Sequence, residues 1–313
     1  MGNIGKPALE TFAKGNSEDT VYVYELSSHQ LYDLDRSPDI SVVLNIGTDH
    51  LDWHGTQDEY LKAKKNIVFH QKKGDLTVLN FDDLVVRNFG ENTKAKTVFF
   101  GKKNQENDAY LEGDSLYVNG KVVLDKKKVK LKGDHNLSNI MALVLVVTDL
   151  GVGKDAIQEI VYAFTGLEHR LEEVGEHKDV LFVNDSMSTN SVSMEAALSS
   201  FSDRPITLIL GGHDRGIEQK NIALLVAGTE NIKNVVLIGE TAEMLEREIV
   251  GLGFGGKLLN LGKKDMNTIV DKAFNLTPKG GVVLLSPAAA SFDMFENYKD
   301  RGNQFKKAAR SLR

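Results

Sequence analysis

Short β-branched apolar runs alternate with stretches of helical period along most of this 313-residue chain, and that alternation restricts the folds open to it. The runs Val21 to Tyr24, Ile40 to Ile46, Leu181 to Val183, Ile206 to Leu210, Val235 to Ile238 and Val282 to Leu285 are too short and too uniformly apolar for amphipathic helices. They read as parallel strands buried on both faces. Between the later runs lie helical patterns over Ser193 to Ser200, Ala242 to Val250, Met266 to Phe274 and Phe292 to Leu312. Strand and helix in alternation imply right-handed crossovers and doubly wound α/β sheets.

The length suits two domains at roughly 150 residues each. Two successive helical patterns, Asn136 to Leu150 and Lys154 to Phe164, run into Thr165-Gly166-Leu167-Glu168-His169-Arg170. The boundary is therefore expected near residue 168, giving domains 1–167 and 168–313. Gly113-Asp114 and Asn119-Gly120 are hairpin signals within residues 108–131, which predicts a small antiparallel excursion. The Lys126-Lys127-Lys128 run beside it reads as a solvated face. Asn3-Ile4-Gly5-Lys6-Pro7 enters a helical pattern almost at once, so the chain is expected to begin inside a domain.

Composition excludes several classes. A formal charge of -6 argues against a broad nucleic-acid-binding face. The absence of cysteine removes disulfides, thiolate metal sites and cysteine nucleophiles, and it fits a reducing, cytoplasmic setting. No apolar run reaches the roughly 18 residues of a membrane helix, and the start carries no signal-peptide core.

Ligands of open α/β sheets bind beyond the carboxyl ends of the strands. Glu25-Leu26-Ser27-Ser28-His29-Gln30 follows one apolar run, and Gly47-Thr48-Asp49-His50-Leu51-Asp52 follows the next. Neighbouring strands would deliver Glu25 and His50 to one crevice, where oxygen ligands suit magnesium. Either residue alone reads more simply as structural. Further on, Tyr60-Leu61-Lys62-Ala63-Lys64 lies on a predicted helix, Asn136 and Asn139 share a helix face, and Ser291 precedes a helical stretch, where it could be a plain N-cap. Gly251-Leu252-Gly253-Phe254-Gly255-Gly256 fits a dinucleotide-binding pattern formally, but it follows a helix and precedes an apolar run, so it reads as a turn.

The order of these segments resembles the Mur ligase family: Asn-Ile-Gly-x-Pro, Glu-Leu-Ser-Ser-x-Gln-Leu, Asp-His-x-Asp, Tyr-x-x-Ala-Lys, then Gly133-Asp134-His135-Asn136-Leu137-Ser138-Asn139 and Leu167-Glu168-His169-Arg170. Asn184-Asp185-Ser186-Met187-Ser188-Thr189-Asn190, Ser286 to Phe295 and Arg301-Gly302-Asn303 resemble the branch that adds D-glutamate. The resemblance implies an ATP-dependent ligase joining D-glutamate to UDP-N-acetylmuramoyl-L-alanine in peptidoglycan precursor synthesis. It implies a central ATPase-like domain with a mostly parallel sheet and a Rossmann-like C-terminal domain.

By the same resemblance Glu25, His50 and Lys64 are the catalytic and magnesium-holding residues, with Lys64 carbamylated. Asn136, Asn139, Arg170 and Asp185 would meet ATP. Asn3, Ser27, Ser28, Gln30, Thr189, Arg215, Ser291 and Tyr298 would meet the substrates. Carbamylation needs a neutral amine, which an ordinary lysine of pKa about 10.4 supplies only about once in 2,500 at pH 7.

Two positions depart from the family pattern. Arg215 replaces a lysine, keeping the charge and adding a fork of donors. Met187 replaces another lysine and leaves no polar role there. The family's phosphate-binding loop and its uridine-binding domain have no counterpart in these residues, so the chain is expected to be inactive by itself, to be either truncated or completed by a separate N-terminal segment, and otherwise to be a monomer. The competing readings are a binding module for a nucleotide or amino acid without turnover, and a sister ligase such as a folylpolyglutamate synthase. Asp185-Ser186 and Ser291-Phe292-Asp293 disfavour the sister ligase.

Overall fold

The computed structural model describes residues 10, 13, 17, 20–47, 50–102, 106–131, 133–216 and 219–312. Asn3 and the helical pattern expected at residues 3–7 lie outside the described residues. The chain forms two compact units, Met1–Lys128 with Leu137–Val161 and Val129–Asn136 with Tyr162–Arg313.

The first unit carries a six-stranded sheet in simple sequence order: β1 (Ile40–Val43), β2 (Leu76–Asn80), β3 (Lys96–Gly101), β4 (Ala109–Glu112), β5 (Ser115–Val118) and β6 (Lys121–Asp125). Strands β1 to β4 pair in parallel, and β4 to β6 form the antiparallel excursion. Asn119 and Gly120 take φ of 48° and 73°, the left-handed geometry that a tight hairpin demands. Lys126 and Lys127 pair with Asp114 across the neighbouring turn, so this lysine run is a surface feature.

Four helices of this unit matter for the site: α1 (Ser28–Leu31), α2 (Leu51–His54), α3 (Gln57–Phe69) and α4 (Leu84–Arg87). Thr56 caps α3 by accepting from the Glu59 amide, and Asp58 and Glu59 suit the positive end of its dipole. Val43, Val68, Leu79, Val86 and Phe89 close the core beneath them.

The strand expected over Val21 to Tyr24 does not form. These residues carry no regular secondary structure and lie outside both six-stranded sheets, with Val21 and Val23 61% and 78% exposed. An apolar run becomes a central parallel strand only when both faces are covered, and here neither valine is.

The second unit is doubly wound. Helices α5 (Asp134–Asp149) and α6 (Lys154–Ala163) precede it in the chain, followed by β7 (Glu172–His177), β8 (Val180–Asn184), α7 (Ser191–Ser199), β9 (Ile206–Leu210), α8 (Lys220–Gly228), β10 (Ile232–Ile238), α9 (Ala242–Gly251), β11 (Lys257–Gly262), α10 (Met266–Leu276), β12 (Val282–Leu285) and α11 (Tyr298–Arg310). The strand order is β11-β10-β9-β12-β8-β7, parallel except for β7.

Alternate residues of each strand feed the two faces. Leu208 and Leu210 pack with α7, α8 and α9, while Ile209 packs with α10 and α11. Residues 251–256 join α9 to β11 as a turn. The last helix starts at Tyr298, six residues later than the apolar pattern suggests. Asn297 caps it through the Lys299 and Asp300 amides, and the Ser291 carbonyl closes a separate turn with Met294 and Phe295. Ser291 is therefore not the cap of that helix.

Candidate functional site

Because β12 lies between β8 and β9, the chain leaves β8 for β9 past an empty slot and returns to fill it last. This is the switch point at which open α/β sheets form a crevice beyond their carboxyl ends. Three of those ends carry the expected residues: Asp185 and Thr189 after β8, Arg215 after β9, and Ser291 after β12. Ser291 is 2% exposed, Thr189 is half-buried and Arg215 is exposed. Tyr298 opens α11; its ring stands 6.0 Å from that of His169, and its carbonyl accepts from Ser186 Oγ at 2.8 Å.

One residue that sequence reasoning missed ties these ends together. Arg301 is fully buried, and its guanidinium donates to Ser186 Oγ at 2.9 Å, the Ser186 carbonyl at 2.8 Å, the Ala289 carbonyl at 3.0 Å and the Ala290 carbonyl at 3.3 Å. It thereby clamps the loop after β8 to the loop after β12. The signal was present: Arg301 lies on the same helix face as Phe305 and Ala308, a charge within an apolar stripe.

Asp185 is 4% exposed; its carboxylate accepts from Ser286 Oγ at 2.8 Å and from the Leu171 amide at 3.2 Å. Burial outweighs those bonds and pushes its carboxyl up to about 6. The folded-state pKa lies above the unfolded value, so the associated stability is full below about pH 4 and is lost as pH rises through about 6. The whole loss is about 3 kcal/mol. Asp185→Asn should raise stability by up to that amount at pH 7.5 and change it little at pH 4, as read by urea denaturation at both values. A gain of equal size at the two pH values would show that the ionised carboxylate is not the destabilising group.

Leu171 also lines a cavity of about 540 Å³ in the second unit, with Lys130, Asn136, Gly166, Glu168 and Arg170. The size is that of a small-molecule site. Two of the expected nucleotide contacts, Asn136 and Arg170, share this wall. Asn139 follows one turn later on α5, among the residues that belong to the first unit. Arg170 sits between His169 and Leu171, both in the left-handed region at φ of 66° and 48°. The Asn184 amide bridges His169 Nδ1 and Glu172, and Lys306 pairs with Glu168 and Glu172 at 3.1 Å each, so a cation answers part of the cavity's acidic wall. Met187 uses its backbone, donating to the His169 carbonyl at 3.0 Å.

In the first unit Ser27 and Gln30 form a capping box at the start of α1, so local structure already occupies both side chains. Ser28 is buried, and its hydroxyl lies 3.0 Å from His54 Nε2. Burial, helped by His29 and His50, holds His54 below the usual imidazole range.

The rings connect the expected residues. His29 stands 4.8 Å from His50 and 4.6 Å from Trp53, His54 stands 5.3 Å from Tyr60, and Lys64 Nζ lies 5.8 Å from the Tyr60 ring centre. His50 starts α2 in the left-handed region, and Glu25 is exposed three residues before Ser28. Among the described residues no group of three or more His, Asp or Glu is arranged to hold a metal ion. Glu25 and His50 supply one carboxylate and one imidazole. Magnesium is a hard, oxygen-seeking ion, so of the two the Glu25 carboxylate suits it better.

Comparison with known proteins gives this arrangement a family. The Mur ligase middle domain matches residues 6–147, and the domain described as Mur ligase, glutamate ligase domain matches residues 169–289. The UDP-N-acetylmuramoylalanine–D-glutamate ligase of Clostridioides difficile (strain 630) is 38% identical over 318 residues, covering 100% of this chain and 69% of the relative. Its counterpart in Streptococcus uberis is 36% identical over 315 residues, covering 100% of this chain and 67% of the relative. The chain thus spans about two thirds of the length of these relatives.

Among solved structures, the UDP-N-acetylmuramate-alanine ligase MurC of Thermotoga maritima shares the fold with a TM-score of 0.67 at 19% identity, over 92% of this chain and 63% of that one. The MurF ligase of the same organism, solved with ADP, gives 0.63 at 21% identity over 88% and 63%. The chain belongs to the Mur ligase family.

Proposed function

We propose that these residues are the nucleotide-handling and glutamate-binding parts of an ATP-dependent ligase that joins D-glutamate to UDP-N-acetylmuramoyl-L-alanine in the cytoplasm. The observation that carries this reading is that Thr189, Arg215 and Ser291 lie on the loops leaving the carboxyl ends of β8, β9 and β12, of which Arg301 clamps the first and last. The D-glutamate-adding relatives named above support it. Residues 168–313 form the glutamate-binding domain, and residues 1–167 hold the catalytic set.

Each residue then has a task. Arg215 pairs with a glutamate carboxylate through its fork of donors. Ser291, Thr189 and Tyr298 line the amino-acid pocket. Asn136 and Asn139 meet the base of ATP, Arg170 its phosphates and Asp185 its ribose. Glu25, His50 and carbamylated Lys64 would hold magnesium, which when bound supplies charge stabilisation at the transferring phosphoryl group. Asn3, Ser27, Ser28 and Gln30 belong to the precursor side, with Ser28 held in place by His54.

The test is an NMR titration of the chain with each enantiomer of glutamate. D-Glutamate is expected to shift the amides of residues 185–191, 211–216 and 286–292, and L-glutamate to shift them less. Equal responses would remove the stereospecific pocket, and no response to either would remove the glutamate assignment.

A further inference from the structure

The loop after β9 that presents Arg215 contains Gly211, Gly212 and Gly216; its start is held by the Gly211 amide on the Pro287 carbonyl, the His213 amide on the Ala290 carbonyl and Gly212 bonded to Thr241. Gly212 adopts φ of +156°, and a Cβ there would lie 2.3 Å from the Ala290 carbonyl oxygen, so the loop must lie bare against the loop after β12. What grips it from the other side is Glu240, two residues beyond the end of β10. One carboxylate oxygen of Glu240 accepts from His213 Nδ1 at 2.8 Å and from the Asp214 amide at 3.3 Å; the other accepts from Lys263 Nζ at 2.9 Å.

The same residue reaches the third loop through its backbone. The Glu240 amide donates to Asp293 Oδ2 at 2.9 Å, and Asp293 lies in the turn that begins at Ser291. Gly239 makes this approach possible. At φ of +75° it carries no Cβ, and one built there would stand 2.3 Å from Asp293 Oδ2 and 2.6 Å from Gly212 Cα.

We propose that Glu240 is a positioning residue for the amino-acid substrate, fixing the loop of Arg215 against the turn of Ser291 so that both meet one bound glutamate. The proposal rests on the reading of Arg215 and Ser291 as glutamate contacts. Glu240 itself does not touch the substrate; it acts through His213, the Asp214 amide and Asp293. Hydrogen bonds from Lys263 and then His213 pull its carboxyl down to about 2, so the grip is present across all working pH. Exposed ion pairs add little to global stability. The effect of losing this one should therefore appear in loop order and affinity rather than in the melting temperature.

The experiment compares the unaltered chain with Glu240→Ala, Glu240→Gln and Arg215→Ala, following D-glutamate by ¹⁵N-resolved NMR titration. Glu240→Ala is expected to weaken D-glutamate binding by roughly 10- to 100-fold, the scale set by an ångström-level misplacement of a contacting group. The amides of residues 213–216 should lose order on the nanosecond scale, while the melting temperature stays within about 2 °C. Glu240→Gln keeps an acceptor oxygen and should restore part of the affinity. Unchanged affinity in Arg215→Ala would overturn the underlying glutamate reading and the positioning role with it. Weakened binding in Arg215→Ala together with unchanged binding in Glu240→Ala would overturn the positioning role alone. A fall of 5 °C or more in Glu240→Ala, with residues 213–216 no more mobile than before, would assign Glu240 to stability and also overturn the proposal.

Discussion

Replacing Arg301 by methionine is expected to destabilise the second unit by about 3–5 kcal/mol, because it strips four charge-assisted hydrogen bonds from two loops at once. The side chain is fully buried, and burial lowers its pKa to about 10, so it remains charged at neutral pH. That charge is met by the carbonyls of Ser186, Ala289 and Ala290 and by the Ser186 hydroxyl, rather than by a hydrogen-bonded carboxylate. Methionine fills much of the same volume but offers no donor. The Ser186 and Ala289 carbonyls would then lose this donor, at about 1–3 kcal/mol for each that water cannot reach, while the Ala290 carbonyl keeps the His213 amide.

Arg301→Lys should fare only somewhat better. A single ammonium cannot reproduce the planar fork that spans Ser186 and Ala289. A total domain stability of about 5–15 kcal/mol makes the methionine loss roughly a fifth or more of what is available. The melting temperature should fall by about 10 °C for a unit of this size. Thermal melts of the chain with and without Arg301→Met decide the matter. A fall of less than about 3 °C would mean that the two loops have other means of staying in place.

Arg301 also marks where the sequence stops being readable. Alternating apolar runs at Ile206 to Leu210, Val235 to Ile238 and Val282 to Leu285 could be recognised as strands because burial on both faces leaves a local trace in composition. The hairpin at Asn119-Gly120 was legible for a similar reason, since its positive φ values restrict the residue types. The clamp leaves no such trace. Three of its four partners are backbone carbonyls 11 to 115 positions away, whose chemistry is the same whatever residue carries them. Only the odd placement of an arginine on an apolar helix face hinted at it.

Val21 to Tyr24 shows the opposite failure. The run has the composition of a buried strand, but composition cannot say whether anything covers it, and Val23 is 78% exposed. The start of the last helix was misplaced for a related reason. Apolar spacing continues through Phe292 and Phe295 at helical intervals, but Asp293 is drawn to the Glu240 amide and Asn297 caps the helix later. Glu240 was invisible in the sequence because its partners lie on three different strand ends. The strand-end residues Thr189, Arg215 and Ser291 are proposed on an ordered series of motifs rather than on any one of them.

Lys64→Ala is expected to abolish ligation, by more than 100-fold, in any form of the protein that turns over, and added acetate should restore a measurable part. The argument starts from charge. Magnesium prefers several oxygen donors, and on the proposed assignment Glu25 and His50 would bring only one carboxylate and one imidazole. A lysine ammonium near that ion would be repelled, whereas a carbamylated lysine is an anion with two oxygens. Lys64 lies on α3 one turn after Tyr60, half-buried, with its Nζ 5.8 Å from the Tyr60 ring centre.

Partial desolvation is the means by which a lysine becomes neutral enough to react with carbon dioxide. A preorganised charge at the phosphoryl group commonly contributes about 10²- to 10³-fold to rate, and the loss on Lys64→Ala should be at least of that order. Acetate is small enough to enter the gap left by alanine and to supply the missing anionic oxygens. Chloride at equal ionic strength is not a substitute and should give no rescue. Bicarbonate should raise the activity of the unaltered protein prepared without carbon dioxide and leave Lys64→Ala unaffected. Full activity of Lys64→Ala without any added carboxylate would remove Lys64 from the metal site. Rescue by acetate and chloride alike would reduce the effect to ionic strength. Selective rescue by acetate identifies the missing group as a carboxylate-like anion, since only that chemistry is common to acetate and a carbamylated lysine.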